Sequence, residues 1–178
     1  MDKDGDIDII NVTSHKVYLL ANDGNENFTT TELYSRSLCC LYTSEIYDID
    51  NDSLKDVVFL GNNNVLGYLK NNGNNSFSTF NKLKDINNND LTVTGNFYKF
   101  YFNDIDNDGD DDIVGIDGNL FYFKNNGSNQ YEFINLVSVS QYGSGRDLKI
   151  TDIDDDGDKD IIVGGDFGVY WAKNEGQV

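Results

Sequence analysis

The chain has 178 residues, 31 acidic and 13 basic, which gives a formal charge of −18, and 38% of its residues are hydrophobic. The charge argues against a nucleic-acid partner, since phosphate contacts need clustered Lys and Arg, and no apolar run reaches the roughly 18 to 20 residues of a membrane span. Aromatic residues make up 13% of the chain, so we expect one folded domain over residues 1–178, with cations as natural partners.

The N-terminal segment and the cysteines carry little functional signal. The first residues, MDKDGDIDII, show no basic segment followed by an apolar stretch, so no secretory signal is visible in this segment. Cys39 and Cys40 are adjacent, which suits neither an ordinary disulfide nor a CxxC metal or redox motif. We interpret both as small strand residues.

Four acidic stretches recur along the chain. They read DKDGDID, DIDNDSLKD, DIDNDGDDD and DIDDDGDKD, and we call them acidic loop 1 (residues 2–8), loop 2 (48–56), loop 3 (104–112) and loop 4 (152–160). The positions of each loop are numbered so that its closing aspartate is position 9; loop 1 starts at position 3. The closing aspartates, 48, 56 and 48 residues apart, are Asp8, Asp56, Asp112 and Asp160. A period near 50 residues indicates a repeat architecture.

Each loop is followed by a short apolar run, then by an aromatic run that ends in an Asn-Gly-type turn. The turn glycines are Gly24, Gly73, Gly127 and Gly176. The third unit reads as four strands, NFYKFYFND, DIVGI, NLFYFKN and YEFINLVSV. We therefore predict an all-β chain, a β-propeller of about four four-stranded antiparallel blades with the first and last incomplete. The units span approximately residues 1–36, 37–84, 85–140 and 141–178.

The spacing of the carboxylates predicts cation binding. Like charges about 4 Å apart cost roughly 1 to 4 kcal/mol per pair, so alternate aspartates around a glycine turn are tolerable only around a cation. Oxygen donors without His or Cys favour Ca²⁺ over transition metals and Mg²⁺. An EF-hand would need a Glu where this chain has Gly115 or Val163, and solvated turn aspartates would have no reason to recur in register.

The predicted ligands follow the loop positions. Gly109 and Gly157 would make the sharp turn at position 6, where Ser53 replaces glycine in loop 2 and is expected to weaken that site. Loop 1 lacks position 1, so its site is expected to be empty or labile. The candidate side chains are Asp104, Asp106, Asp108 and Asp112 in loop 3, Asp152, Asp154, Asp156 and Asp160 in loop 4, Asp48, Asp50, Asp52 and Asp56 in loop 2, and Asp2, Asp4 and Asp8 in loop 1. The candidate backbone carbonyls are those of Asp110, Asp158 and Leu54.

The unit DIDxDGxxDIIVG…VYWxKNxG resembles the FG-GAP and VCBS repeats of integrin-α-like β-propellers, over essentially the whole chain. This resemblance implies calcium between the first two strands of each blade, an adhesive or carbohydrate-binding surface, and an extracellular or cell-surface setting. The chain departs from the family in lacking a GAP tripeptide, and the nearest Phe-Gly is Phe167-Gly168. Both ends fall inside a repeat, so we expect a piece of a larger protein, or a ring completed by another chain or a homo-oligomer.

Three functions compete. The first is a module that binds a glycan or a surface protein through stacking on aromatic side chains. Most of the candidate aromatics recur at the same place in each repeat, which favours core packing, and Trp171 is the least constrained by this argument. A calcium-stiffened structural spacer is the second. A hydrolase or lyase is disfavoured, since the carboxylates are spaced to share an ion and His15 is the only histidine; we expect no enzyme. The candidate stacking residues are Tyr18, Tyr68, Tyr122, Tyr170 and Trp171.

Overall fold

The structure is a computed structural model that describes residues 1–37, 41, 43–93, 99–116, 120–137 and 145–176. These residues form four β-sheets and a single 3₁₀ turn at Asn62–Asn64, so the all-β prediction is confirmed. Nothing helical in this part of the chain is long and apolar enough to cross a membrane. Cys39 and Cys40 lie outside the described residues.

The described strands form four sheets. Sheet 1 contains β1 (Ile9–Val12), β2 (Lys16–Asn22) and β3 (Phe28–Ser35). Sheet 2 contains β4 (Ser44–Tyr47), β5 (Asp56–Leu60), β6 (Leu66–Asn71) and β7 (Phe77–Lys82). Sheet 3 contains β8 (Lys84–Asp85), β9 (Lys99–Asn103), β10 (Asp112–Ile116), β11 (Leu120–Asn125) and β12 (Gln130–Val137). Sheet 4 contains β13 (Gly145–Thr151), β14 (Asp160–Gly165) and β15 (Gly168–Ala172).

Apart from β8, sequential strands pair antiparallel within every sheet, as short hairpin turns require. Sheet 2 has the predicted four strands, and sheets 1 and 4 have three. Sheet 3 has a fifth strand that the sequence did not indicate: β8 pairs parallel to β12 through Lys84 with Gln130 and Asp85 with Tyr131. A strand of two residues has no periodicity that a sequence pattern could reveal.

Strands β5 and β10 are buried on both faces. Every residue of β5 and β10 is buried, which explains why their sequences DVVFL and DIVGI read as continuous apolar runs rather than alternating ones.

The chain divides into two compact units. Unit 1 comprises residues 1–83 and 90–93, and unit 2 comprises residues 84–89 and 94–178. In unit 1, Val17 of sheet 1 packs with Val57 and Phe59 of sheet 2. In unit 2, Val114 of sheet 3 packs with Val163 of sheet 4. Each fully buried side chain of this kind contributes roughly 1.5 to 3 kcal/mol, so stacking of consecutive sheets within a unit is the main source of its stability.

Candidate metal centres

Acidic loops 2, 3 and 4 each join the first and second long antiparallel strands of their sheet, β4 to β5, β9 to β10 and β13 to β14. They follow the same backbone path. Position 4 is left-handed in all three, at Asn51 (φ 59°), Asn107 (φ 59°) and Asp155 (φ 58°). Position 6 is also at positive φ, at 96° for Gly109 and 97° for Gly157. Loop 1 has the same two features at Lys3 (φ 67°) and Gly5 (φ 104°).

Ser53 takes the glycine position of loop 2 with φ 69°. A residue with a Cβ is strained there, since only glycine enters this region freely. We expect Ser53→Gly to raise the free energy of unfolding by about 0.5 to 1 kcal/mol, measured by urea denaturation. Ser35→Gly, in the exposed strand β3, is the matched control and should lower it, because glycine weakens a strand. A loss of stability in both variants would contradict the strain at Ser53.

The first aspartate of each complete loop organises the turn. In loop 3 the carboxylate of Asp104 accepts hydrogen bonds from the backbone N–H groups of Asp108 (3.1 Å) and Gly109 (3.0 Å). The same two bonds recur from Asp52 and Ser53 to Asp48, and from Asp156 and Gly157 to Asp152. Position 5 in turn accepts from the N–H of position 7, as in Asp108 with Asp110 (3.0 Å). The motif thus closes the loop by its own hydrogen bonds.

The closing aspartates clip the loops to the following hairpins. Asp112 is fully buried, and its two oxygens accept hydrogen bonds from the N–H groups of Ile105 (3.1 Å) and Asn125 (2.8 Å). The equivalent donors are Ile49 and Asn71 for Asp56, and Ile153 and Asn174 for Asp160, with Asn22 bonding Asp8 in loop 1. Position 9 therefore has a structural role in addition to the predicted role as a ligand.

Burial makes the ionised form of these carboxyls costly. Desolvation, reinforced by the charges of Asp106 and Asp108, raises the pKa of Asp112 to about 6 from an ordinary 3.8, and burial likewise raises the pKa of Asp56. A pKa raised on folding means that the folded protein binds the proton more tightly than the unfolded chain.

With divalent cations chelated, we therefore expect the free energy of unfolding to rise as the pH falls from about 7.5 to about 5. Carboxyls with lowered pKa, such as Asp106 and Asp154, lose their contribution only below about pH 4. Urea titrations at each pH measure the trend, and Asp112→Asn should flatten it. A steady fall in stability over that range would contradict the raised pKa.

Carboxylate oxygens converge in each complete loop. Three groups in the described chain have one oxygen per residue within 4.8 Å of the others: Asp48, Asp50 and Asp56; Asp104, Asp106 and Asp108; and Asp152, Asp154 and Asp160. In the first two groups the Oδ1 atoms of Asp50 and Asp106 are buried and have no hydrogen-bond partner among the described residues. Buried oxygens without a donor, in residues whose carboxylates converge, fit the needs of a hard cation such as Ca²⁺.

The remaining predicted ligands lie outside these groups. Asp52, Asp112 and Asp156 hold the backbone as described above. The position-7 side chain of Asp110 lies against turn glycine Gly127, where a Cβ would be 2.8 Å from its Oδ2. In loop 1, Asp2, Asp4 and Asp8 do not form such a group among the described residues, and the amino group of Met1 forms an ion pair with Asp8.

The sequence analysis missed the cations supplied by the chain itself. Lys124 forms ion pairs with Asp106 and Asp108, the latter at 3.4 Å. Lys70 pairs in the same way with Asp50 and Asp52, and Lys173 with Asp154 and Asp156. Although burial opposes ionisation of Asp106, the hydrogen bond and charge of Lys124 hold its pKa below the ordinary value. The sequence signal for these lysines was the recurring turn motif K-N-[NE]-G, which reads ANDG, with Ala21 in place of Lys, in the first sequence repeat.

Asparagines connect the loop of one sheet to the turn of the next within each unit. In unit 2 the side chain of Asn174 donates to the carbonyls of Ile105 (2.9 Å, loop 3) and Lys159 (3.3 Å, loop 4). In unit 1 Asn71 donates equivalently to Met1 (3.0 Å) and Lys55 (3.2 Å). The geometry of one acidic loop is thereby coupled to its neighbour.

The candidate stacking aromatics divide into two kinds. Tyr122 is buried, and its hydroxyl donates to Asp106 at 3.4 Å. Tyr68 is half-buried, and burial with the charges of the loop 2 carboxylates raises its pKa. Tyr18 and Tyr170 are also half-buried, and Tyr170 packs against the core of unit 2. Trp171 is 42% exposed, so it remains available to a partner.

Comparison with known proteins supports the repeat assignment. A solved structure titled as the basis of specific recognition of non-reducing terminal N-acetylglucosamine by an Agrocybe aegerita lectin superposes with a TM-score of 0.63 at 20% identity, covering 94% of this chain and 46% of that one. The chain thus spans less than half of that lectin's length, and the likeness concerns the fold. No curated protein sequence is significantly similar. Residues 104–163 match the model of the FG-GAP-like repeat family, so the predicted resemblance is confirmed over this segment, which is similar to an FG-GAP-like repeat.

Proposed function

We propose that the chain is a calcium-binding β-propeller module for extracellular binding or adhesion, with carbohydrate as its ligand. The observation that carries the calcium assignment is the convergence of three carboxylates in loops 2, 3 and 4, with buried oxygens of Asp50 and Asp106 that no donor satisfies among the described residues. The propeller assignment is supported by four repeated antiparallel sheets and by their apolar stacking within each unit.

Carbohydrate as the ligand class is supported by the fold likeness to a lectin that recognises N-acetylglucosamine, and by a surface whose charge repels anionic partners. A secreted or cell-surface location is part of the proposal, because millimolar extracellular calcium saturates modules of modest affinity. The clustered carboxylates hold ions in this proposal and do not exchange protons with a substrate.

Isothermal titration with Ca²⁺ tests the metal assignment. We expect up to three sites with dissociation constants of about 10⁻⁴ to 10⁻³ M, typical of extracellular modules, and weaker binding of Mg²⁺. Absence of binding at millimolar Ca²⁺ would reject a metal function and leave the lysines as the cations of the loops.

Lysine and calcium compete for the same oxygens. Because Ca²⁺ must displace the ammonium of Lys124 from Asp106 and Asp108, we expect Lys124→Met to tighten calcium binding about threefold to tenfold. Lys149→Met, at an exposed residue of β13, is the control and should leave the affinity unchanged. Weaker calcium binding in Lys124→Met would mean that the lysine supports the metal site.

A structural spacer is the second candidate, and the tyrosines favour it. Tyr122 is buried and faces Asp106, which removes one member of the repeated aromatic set from any binding surface. A glycan array probed in the presence of calcium separates the two functions. Binding that Trp171→Ala abolishes would place the ligand at that ring, and a blank array would favour the spacer.

A further inference from the structure

Unit 1 contains a segment that departs from the repeat. The connection from β5 to β6 spans Gly61–Val65, whereas the one from β14 to β15 has two residues, 166–167. The chain after β7 returns over this connection, with backbone hydrogen bonds from Leu66 to Leu91 (2.8 Å) and from Val93 to Asn64 (3.0 Å). In repeat proteins such insertions collect on one face, which is often the binding face.

The departure creates a groove of about 510 Å³, within the range of small-molecule sites. Its aromatic wall consists of Tyr34 and Phe80, whose ring centroids are 5.3 Å apart. The Tyr34 hydroxyl accepts a hydrogen bond from the backbone N–H of Asn62 at 3.1 Å. The Phe80 ring packs directly against two glycines, since a Cβ at Gly61 or Gly67 would lie 2.5 or 2.6 Å from its Cζ. Both rings are therefore fixed before any ligand arrives.

Polar groups also line the groove. Asn62 and Asn63 are exposed, and Asn63 is held at φ 58°, a strained conformation for a residue with a Cβ. The buried guanidinium of Arg36 donates to Oδ1 of Asn64 at 3.0 Å and so fixes the turn that carries them. Lys82 and Asp90, which also line the groove, form an ion pair at 2.5 Å.

A groove lined by fixed aromatic rings together with amide and carboxylate groups suits a ligand with one apolar face and several hydroxyls. The charges of Lys82 and Asp90 cancel each other, and the formal charge of −18 on the chain opposes an anionic ligand. We infer that this groove of unit 1 binds a neutral pyranose, with its C–H face on Tyr34 and Phe80 and its hydroxyls on Asn63 and Asp90. This inference rests on the proposed carbohydrate-binding function and assigns it a place.

The test uses the intact chain and four probes, the methyl glycosides of glucose, galactose, mannose and N-acetylglucosamine. In ¹H–¹⁵N spectra we expect at least one of them, at millimolar concentration, to shift the amides of Asn62, Asn63 and Asp90. Asn63→Gly, which keeps the left-handed backbone, and Asp90→Asn should each weaken that binding at least about tenfold. Asn74→Gly is the matched control, because Asn74 is also exposed and left-handed (φ 51°) but lies in a hairpin turn outside the groove.

The outcomes separate the groove from the function. Binding that survives Asn63→Gly and Asp90→Asn but is lost in Trp171→Ala would overturn the groove and leave carbohydrate binding intact. Binding of none of the four glycosides, together with a blank glycan array, would overturn both. Equal loss in Asn74→Gly would show a general effect on the fold and also overturn the assignment.

Discussion

Chelation of Ca²⁺ with EDTA is expected to lower the Tm of the protein by at least about 5 °C relative to the same sample in saturating Ca²⁺. A ligand that binds only the folded state stabilises it by about 2.7 kcal/mol when its free concentration is a hundredfold above Kd. For a chain of this size each kcal/mol shifts Tm by roughly 2 to 4 °C, so one occupied loop already gives the stated change. Loops 2, 3 and 4 all have converging carboxylates, so the full effect should be larger.

The control for this experiment distinguishes specific calcium binding from general screening of the chain's negative charge. A chain with a formal charge of −18 gains stability from any salt, because counterions reduce its self-repulsion. NaCl at matched ionic strength and equimolar MgCl₂ should therefore produce a smaller rise in Tm than CaCl₂. Equal rises with all three salts would show that the acidic loops respond to ionic strength alone.

The loop geometry was predictable from the sequence because most of the interactions that shape each loop form between residues of the motif itself. Alternate aspartates supply acceptors for backbone N–H groups two to five residues away, and glycine at position 6 takes a φ that other residues avoid. Local patterns of this kind do not depend on what packs around them. The repeat period then placed each loop before an apolar inner strand, which is fully buried in β5 and β10 and partly buried in β14.

Features that depend on side-chain direction were not predictable. Nothing in the sequence shows that Lys124 turns towards Asp106, because a lysine on a strand can equally extend into solvent. The predicted role of Asp112 was also incomplete, because its hydrogen bonds depend on where the N–H groups of Ile105 and Asn125 lie in three dimensions.

The groove of unit 1 was missed for a related reason. A comparison of the four sequence repeats emphasises what they have in common. Gly61–Val65 and the residues that return over it belong to one repeat alone. The run GNNNVLG signals an irregular turn through its asparagines and glycines. Its partners Tyr34 and Phe80 are distant in sequence and meet there only through the stacking of sheets 1 and 2.

Two alanine variants in loop 3 should differ in how far their loss of stability depends on calcium. Asp112→Ala leaves the buried N–H groups of Ile105 and Asn125 without acceptors, each at a cost of about 1 to 3 kcal/mol. The desolvation that raises the pKa of Asp112 to about 6 offsets part of this cost. We therefore expect a loss of about 2 to 4 kcal/mol in the free energy of unfolding, in EDTA as well as in Ca²⁺, by urea denaturation.

Asp106→Ala removes a group that bonds no buried backbone donor but faces the other carboxylates and Lys124. In EDTA its loss should lower the free energy of unfolding by no more than about 2 kcal/mol, since the long hydrogen bond from the Tyr122 hydroxyl and the partly exposed ion pair are lost but like-charge repulsion is relieved. In saturating Ca²⁺ it should cost about 2 to 3 kcal/mol more, because the stabilisation from that site disappears. Equal losses in both buffers for Asp106→Ala would show that loop 3 is held by Lys124 and not by a metal. If Asp112→Ala does not fold, the calcium dependence of Asp106→Ala alone still decides between these two roles, since that variant keeps the backbone hydrogen bonds to Asp104 and Asp112.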